Sequence, residues 1–262
     1  DNRFKSATGE YAVPRLNFDN VDKLMKAAHD NGVKLRGHTL VWHQQTPKYF
    51  FQQNYKITTG QKYNTSKECM DTRLEFYVKT VMNHVLSSEY ADCLYSYDVV
   101  NEYLHSVNAE KDSKNITYWG LIYGTYDKSV KDHGVTLRPS YVKDAFKYAH
   151  EMLVKYDRTD VKLIYNDYNC YQNPENIIHL VDYINSDGKV CDGIGMQSHL
   201  DARSGSDAFP SVSAEKKTVR ALMTVMQVGA RTRRLEITTN SLKRWISISR
   251  VYGRTHEFNH ET

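Results

Sequence analysis

Polar side chains recur directly after short apolar segments of the sequence. The clearest case is Glu102, which together with Asn101 follows the β-rich residues 97–100. A carboxyl at the end of a buried strand is partly withdrawn from water, which raises its pKa and suits a general acid. A glutamate in an ordinary loop is the alternative on spacing alone. Similar polar groups follow three other apolar segments: His38 with residues 42–45 (WHQQ), residues 166–169 (NDYN) and residues 197–199 (QSH).

Three of these polar positions are histidines, which could in principle bind a metal. His38, His43 and His199 lack the H-x-H or H-x-x-x-H spacing of common metal sites, so we interpret them as hydrogen-bonding residues. The cysteines contain no C-x-x-C pair, which argues against structural zinc, and they allow three disulfide pairings or free thiols. They are Cys69, Cys93, Cys170 and Cys191. We therefore expect no metal and no cofactor.

Short apolar strands alternate with longer amphipathic helices along the chain. The predicted strands are residues 33–42, 94–100, 162–165, 191–196 and 235–238. The predicted helices are residues 20–29, a helix that begins at a capping box in residues 65–68 (TSKE), residues 139–156, a helix that begins at Pro174, and residues 213–226. The second of these helices is apolar at Met70, Leu74, Tyr77, Val81 and Val85. In the helix of residues 139–156, helical spacing predicts that Val142, Ala145, Phe146, Ala149 and Leu153 point inward.

This alternation of strand and helix predicts an α/β fold. Parallel strands joined by right-handed crossovers give such a pattern in both α/β barrels and doubly wound sheets. A doubly wound sheet would be favoured by a Gly-rich turn after the first strand, and none is present. We therefore favour the barrel, in which polar strand ends form a catalytic rim.

Composition excludes several classes of protein. The 262 residues carry a formal net charge of only +4 without a basic block, so neither nucleic acid nor a membrane surface is an expected partner. No apolar run approaches the roughly 20 residues that cross a bilayer. The chain is rich in tyrosine, with 20 residues, and tyrosine rings can stack on amphipathic sugar rings.

Residues 36–47 (RGHTLVWHQQTP) closely resemble the signature of family 10 glycoside hydrolases, the endo-β-1,4-xylanases. Residues 97–102 (YDVVNE), 165–169 (YNDYN) and 193–200 (GIGMQSHL) resemble three further motifs of that family, in the same order. Residues 1–5 (DNRFK) are similar to its E-N-x-x-K motif, with Asp in place of Glu. The resemblance covers residues 1–200 and implies a TIM (β/α)8-type barrel, incomplete or irregular at both ends.

The resemblance also implies roles for individual residues. Glu102 would be the acid/base, Asn101 would bond the sugar 2-hydroxyl, and Tyr49 would replace a family Trp that stacks on sugar. Retaining hydrolysis of the β-1,4 linkages of xylan needs a second carboxyl about 5–5.5 Å from the first. The remaining implied substrate-site residues are Asn2, Lys5, His43, Tyr168, Gln197 and His199, the last as a partner of the nucleophile.

The sequence departs from the family at the nucleophile. The family motif is close to I-T-E-L-D, whereas residues 235–241 read LEITTNS. Alignment on Ile237 places Thr239 at the nucleophile position, while the distance from Gly229 favours Glu236 instead. We take Glu236 as the candidate nucleophile. The alternative is a catalytically impaired relative that binds xylan without cleaving it, and a metal-dependent barrel hydrolase is disfavoured by the histidine spacing.

The ends of the chain also depart from the family. Five predicted strands cannot close an eight-stranded barrel, so we expect part of a larger molecule, incorrectly determined ends, or substitute segments. We predict a barrel domain over residues 1–239 and an atypical tail over residues 240–262. The expected partners are xylan or xylo-oligosaccharides and other modules of a larger polypeptide. We expect secretion. The chain begins without a leader, so either a signal segment was removed or the chain is a fragment, and the sequons at Asn64 and Asn115 would permit glycosylation outside the cytosol.

Overall fold

The computed structural model describes residues 16–55, 60, 65–106, 117–131, 133–170 and 172–197. The chain divides into two compact units: Asp1–Asp167 with Glu175–Gly195, and Tyr168–Pro174 with Met196–Thr262. The predicted helix at residues 213–226, the predicted strand at residues 235–238 and the predicted domain boundary after residue 239 lie outside the described residues. Among the described helices, none is long and apolar enough to cross a membrane.

The described residues form alternating strands and helices, as the sequence predicts. The strands are β1 (Leu35–Trp42), β2 (Leu94–Asn101), β3 (Lys162–Asp167) and β4 (Gly193–Met196). The helices are α1 (Asp19–Asp30), α2 (Lys67–Ser87), α3 (Tyr118–Tyr123), α4 (Ser140–Lys155) and α5 (Pro174–Ile184). Short 3-10 helices lie at Lys48–Phe51, Gln53–Tyr55, Ala91–Cys93 and Tyr103–His105, and the sequence pattern predicted none of them.

The four strands form one sheet in the order β1-β2-β3-β4. The pairs β1–β2 and β2–β3 are parallel, and their register places Trp42 beside Asn101 and Asn101 beside Asn166. Because these residues lie at the carboxyl ends of their strands, polar groups from three strands meet along one edge of the sheet. The peptide bond between His38 and Thr39 is cis.

Helix α4 packs against β1, β2 and β3, and helix α2 packs against α4. The predicted inward face of α4 is correct, since Val142, Ala145, Phe146, Ala149 and Leu153 are all buried. Of the apolar positions of α2, three are buried, whereas Tyr77 and Val81 are only half-buried. Val78 and Met82 are the fully buried residues there, because the buried stripe lies about one position further along the helix.

The start of α2 differs from the predicted capping box by one residue. Ser66 is the N-cap, and its hydroxyl accepts a hydrogen bond of 3.2 Å from the backbone N–H of Cys69. Thr65 is instead buried, and its backbone N–H donates to the carbonyl of Phe51. The residue before the helix is thus part of the preceding loop packing, which leaves the adjacent serine to cap the helix.

Glycine at position 37 allows β1 and β2 to approach closely. A Cβ atom added to Gly37 would lie 2.4 Å from ring carbons Cδ2 and Cε2 of Tyr97. The ring of Tyr97 on β2 therefore packs directly over the backbone of β1. This contact between Gly37 and Tyr97 supports strand β1, which ends at Trp42.

Candidate active site

Glu102 is the first residue after β2 and has the left-handed backbone conformation of a tight turn. Its φ and ψ are 56° and 36°, in the left-handed region. Its backbone N–H donates to the carbonyl of Asn166 on β3 at 2.8 Å, and its carbonyl accepts from the N–H of His105 at 3.2 Å. The turn therefore places the glutamate at the polar edge of the sheet, where the sequence predicts it.

The side chain of Glu102 is buried and has a specific neighbour. The residue is only 8% exposed, and the indole N–H of Trp42 donates to its Oε2 at 3.0 Å. Trp42 is at the end of β1, so the two neighbouring strands together orient the carboxyl. A buried carboxyl that is held by a neutral donor can serve as a proton donor in one state and an acceptor in the other.

His43 lies in the same part of the molecule as Glu102. Burial lowers the pKa of His43 below its usual value, while the negative charges of Glu102 and Asp167 oppose this shift. Its ring packs edge-on against Trp42, with centroids 6.2 Å apart. The buried Nδ1 has no hydrogen-bond partner among the described residues. A neutral imidazole at this place is suited to hydrogen bonding with an uncharged ligand.

Asp98 anchors a cluster of polar side chains below Glu102. It is 3% exposed and accepts from Nε of Arg36 at 2.8 Å through Oδ1, while its Oδ2 lies 2.9 Å from Nδ1 of His38. His38 is thus a hydrogen-bonding residue, as its spacing in the sequence predicts. Because the cationic guanidinium lies against it, the buried charge of Asp98 is compensated.

The cluster continues to the residue beside the glutamate. Nη2 of Arg36 donates to Oδ1 of Asn166 at 3.0 Å, and Nδ2 of Asn166 donates to Oδ1 of Asn101 at 2.7 Å. Asn101 and Asn166 are 2% and 7% exposed. The amide of Asn101 is therefore held in one orientation next to Glu102.

A second buried group supports the turn that follows Glu102. Asp167 is fully buried, its Oδ1 lies 2.7 Å from Nδ1 of His105, and it accepts a short hydrogen bond from the hydroxyl of Tyr165. The same hydroxyl accepts from the backbone N–H of Leu104 at 3.1 Å. These contacts fix the 3-10 helix Tyr103–His105 and with it the position of Glu102.

The remaining predicted site residues fall into three groups. Tyr49 lies on the 3-10 helix Lys48–Phe51 and is 47% exposed, so its ring is accessible. Tyr168 and Gln197 belong to the second compact unit. The predicted residues Asn2, Lys5, His199 and Glu236, with the competing Thr239, lie outside the described residues.

No cluster of three or more His, Cys, Asp or Glu side chains that could hold a metal occurs within the described part of the chain. The four cysteines are described, and all are free thiols. The sequence allowed either disulfide pairs or free thiols, and the structure has free thiols.

The sequence matches glycosyl hydrolase family 10 over residues 1–244. The chain belongs to this family. It is 46% identical over 204 residues to endo-1,4-beta-xylanase A of Butyrivibrio fibrisolvens, an alignment that covers 78% of this chain and 44% of that protein. It is 35% identical over 189 residues to endo-1,4-beta-xylanase A of Thermotoga maritima, covering 71% of this chain and 15% of that protein. The chain thus spans less than half the length of these curated relatives.

Solved family 10 xylanases have a similar fold. The CBM22-1-GH10 modules of Clostridium thermocellum xylanase 10B, complexed with xylohexaose, are 29% identical with a TM-score of 0.59, over 77% of this chain and 37% of that one. Xylanase B of Clostridium stercorarium F9 is 28% identical with a TM-score of 0.60, over 86% and 59%. Family membership and these likenesses confirm the predicted α/β TIM (β/α)8-type barrel.

Sequence reasoning missed three residues of this family 10 site. Trp42, Arg36 and Asn166 all lie in family motifs, but local spacing predicts no role for them. Their partners are 60 to 130 positions away in the sequence, so local spacing contains no signal for the pairing. The parallel register of β1, β2 and β3 is the only feature that could have indicated it.

Proposed function

We propose that this chain is an endo-1,4-β-xylanase that hydrolyses xylan with retention of configuration, and that Glu102 is its acid/base. The observation that carries the proposal is the buried carboxyl of Glu102 at the end of β2, oriented by the indole N–H of Trp42. The similarity to proteins named endo-1,4-beta-xylanase A supports this choice of substrate class.

The proposed reaction has two steps. Glu102 donates its proton to the glycosidic oxygen while a second carboxylate attacks the anomeric carbon, so the bond to the leaving sugar breaks and a glycosyl-enzyme forms. The carboxylate of Glu102 then takes a proton from water, which attacks the anomeric carbon and releases the second carboxylate. Glu236 is the proposed nucleophile.

The groups around Glu102 suit an uncharged polysaccharide. Asn101 is neutral, and the lowered pKa of His43 keeps its imidazole neutral at neutral pH. Neutral hydrogen-bonding groups can hold sugar hydroxyls without a charged partner. We assign Tyr49 to a stacking platform, and the other proposed substrate contacts are Asn2, Lys5, Tyr168, Gln197 and His199.

The test is the variant Glu102→Gln, which keeps the shape of the side chain but cannot supply a proton. We expect binding of xylohexaose to persist while the rate on xylan falls by about 10²–10⁴-fold. An aryl xylobioside with a good leaving group needs little protonation, so its glycosylation step should be affected much less. Stopped-flow measurement of the aryl burst separates that step from deglycosylation.

Glu151→Gln is the matched control, because Glu151 is a half-exposed glutamate on α4 that pairs with Lys79. Its rate on xylan should equal that of the unchanged protein. If Glu102→Gln hydrolyses xylan at an unchanged rate, Glu102 is not the acid/base. If the aryl burst slows as much as the rate on xylan, the role of Glu102 as the acid is contradicted as well.

We further propose that the protein acts outside the cell and within a larger polypeptide. Xylan is a polymer, so its hydrolysis has to take place where the polymer is. The Clostridium thermocellum protein combines a CBM22-1 module with its GH10 module, which supports the presence of additional modules. Immunodetection in the culture medium of the producing organism, together with the mass of the detected protein, tests both points.

A further inference from the structure

Arg36 connects three strands of the sheet through hydrogen bonds that its guanidinium donates. Nε and Nη2 lie 2.8 and 2.6 Å from Oδ1 of Asp98 on β2, and Nη2 lies 3.0 Å from Oδ1 of Asn166 on β3. The Arg36 side chain is 22% exposed, and that of Asp98 is 4% exposed. The arginine is therefore held in place by a buried carboxylate while it contacts the asparagine.

The chemistry of arginine determines which way the next two amides point. A guanidinium has only donors, so the Asn166 atom that faces it must be the oxygen. The NH2 end of Asn166 then faces Asn101, and the Asn101 atom that receives it must also be an oxygen, at 2.7 Å. The NH2 group of Asn101 consequently points away from Asn166.

Strand β4, the neighbour of β3 in the sheet, leaves just enough room for the contact between Arg36 and Asn166. A Cβ atom on Gly195 of β4 would lie 2.1 Å from Nη2 of Arg36 and 2.3 Å from Oδ1 of Asn166. Any other residue at position 195 would push these two atoms apart. Glycine thus permits the contact on which the orientation of both amides depends.

We propose that Arg36 is a positioning residue that acts through Asn166 to fix the amide of Asn101 with its NH2 group toward the sugar 2-hydroxyl. This inference rests on the proposed function, in which Asn101 contacts that hydroxyl. The hydroxyl has one proton, which the nucleophile carboxylate attracts. Its oxygen therefore needs a donor as its second partner, and contacts to this hydroxyl strengthen in the transition state.

The decisive variant is Asn166→Asp, which changes one NH2 group into an oxygen and leaves the shape intact. Its carboxylate still accepts from Arg36, but it now requires a donor from Asn101. The amide of Asn101 should rotate, so that an oxygen faces the sugar. Arg36→Met removes the fixed donor itself, and Arg36→Lys, which keeps a donor, should restore part of the function.

The measurement compares two aryl β-xylobiosides that differ only in the 2-hydroxyl of the sugar at the cleavage point. For the unchanged protein we expect removal of this hydroxyl to reduce kcat/KM by about 10²-fold. In Asn166→Asp and Arg36→Met this penalty should shrink at least tenfold, because the hydroxyl no longer meets a donor. Such non-additivity indicates that the residue and the hydroxyl act together.

Arg158→Met is the matched control. Arg158 is another partly buried arginine, with 20% of its side chain exposed; it pairs with Asp160 and donates to the carbonyls of Ala91 and Leu94. This variant should lose stability but keep the full penalty for removing the 2-hydroxyl. A reduced rate in Asn166→Asp with an unchanged penalty would show that Arg36 and Asn166 are merely structural and would overturn the proposal.

A neutron crystal structure of the deuterated protein separates this inference from the proposed function. We expect the deuterons on Nδ2 of Asn101 to point away from Asn166. Deuterons on the side facing Asn166 would overturn the inference whatever the activity. If the deuterons are placed as expected but neither xylobioside is hydrolysed, the arrangement stands and the proposed function fails.

Discussion

Glu102 has a backbone conformation that non-glycine residues adopt at a cost of roughly 1–2 kcal/mol. The cost is offset by contacts on both of its sides: the backbone bonds to Asn166 and His105, and the side-chain bond to Trp42. A left-handed residue directly after a strand turns the chain sharply, which keeps the carboxyl at the edge of the sheet. Residue type and motif predict the glutamate but not this conformation, because the residues that enforce it come from other strands.

The lowered pKa of His43 makes the stability of the protein depend on pH. Below its ordinary pKa of 6.5, the unfolded chain binds a proton at His43 that the folded chain does not. Stability is therefore lost as the pH falls from 6.5 toward the lowered pKa of the folded state. We expect His43→Gln to show a shallower decline of the unfolding free energy between pH 7 and 5, measured by urea denaturation.

His179→Gln is the control for this prediction, because His179 is an exposed residue on α5. Its stability profile should run parallel to that of the unchanged protein. A His43→Gln profile that is also parallel over the whole range would contradict the assignment of a buried, neutral imidazole at this position.

The pairing of Arg36 with Asn166 illustrates what the sequence does not contain at the residue scale. Each residue belongs to a sequence motif. The contact joins positions 130 apart and depends on a strand register that a β-bulge or a shift of one residue would change. Residue types at strand ends therefore predict the site, whereas the mutual orientation of the side chains depends on the register of the folded strands.

At the scale of elements, the sequence predicted the strands and helices well and their boundaries less well. The predicted strand 94–100 is observed as Leu94–Asn101, and 162–165 is observed as Lys162–Asp167. Both strands are longer than predicted because buried polar residues end them. Hydrophobicity marks the centre of a strand, whereas pairing with a neighbour determines where it ends.

The cap of α2 gives a prediction that distinguishes two adjacent residues of similar chemistry. Ser66→Ala removes the acceptor for the N–H of Cys69 and should lower the unfolding free energy by about 1 kcal/mol. Thr65→Val is the paired variant: its Oγ1 is buried without a hydrogen-bond partner among the described residues. Because it removes an unsatisfied polar atom, it should leave stability unchanged or raise it slightly. Chemical denaturation of both variants measures the difference.

A larger loss in Thr65→Val than in Ser66→Ala would mean that the threonine caps the helix, as the capping-box pattern predicted. The sequence could not decide between them, since either residue can act as an N-cap. The choice depends on the backbone bond from Thr65 to Phe51, which ties the threonine to the preceding loop.

At the scale of the whole molecule, the described strands lie side by side in the order in which they occur in the chain. The sheet runs β1-β2-β3-β4, so successive motifs of the sequence arrive at adjacent places on one edge. This arrangement explains why motifs far apart in sequence can build one site without long-range sequence signals. In the proposed reaction, the carboxylate partner of Glu102 is Glu236, which lies outside the described residues.

Retaining hydrolysis requires that later part to supply a carboxylate. Glu236 is the only acidic residue between Glu215 and Glu257, so a nucleophile in this segment can only be Glu236. In a regular strand, side chains alternate between faces, so Glu236 and Thr239 cannot both point inward. The proposed retaining mechanism therefore requires Glu236 to point inward, whereas Thr239 in that position corresponds to the alternative of a relative that binds xylan without cleaving it.

An activated 2-deoxy-2-fluoro xylobioside distinguishes these two possibilities. The fluorine slows both steps, and the good leaving group allows the first to proceed, so the glycosyl-enzyme accumulates. We expect mass spectrometry of a digest to find the adduct on the peptide that contains Glu236. Glu236→Gln should form no adduct, whereas Glu215→Gln, a nearby matched control, should be labelled as the unchanged protein is.

The stereochemistry of the product provides an independent measurement on the same reaction. If Glu236 attacks, its carboxyl lies about 5–5.5 Å from that of Glu102 in the active state, and the first product has the β configuration. Proton NMR of the initial product should detect that anomer. A first product with the α configuration would exclude a covalent intermediate, because water would then have attacked directly. A folded chain that binds xylohexaose yet forms neither adduct nor product would contradict the proposed retaining mechanism and support the alternative of a protein that binds xylan without cleaving it.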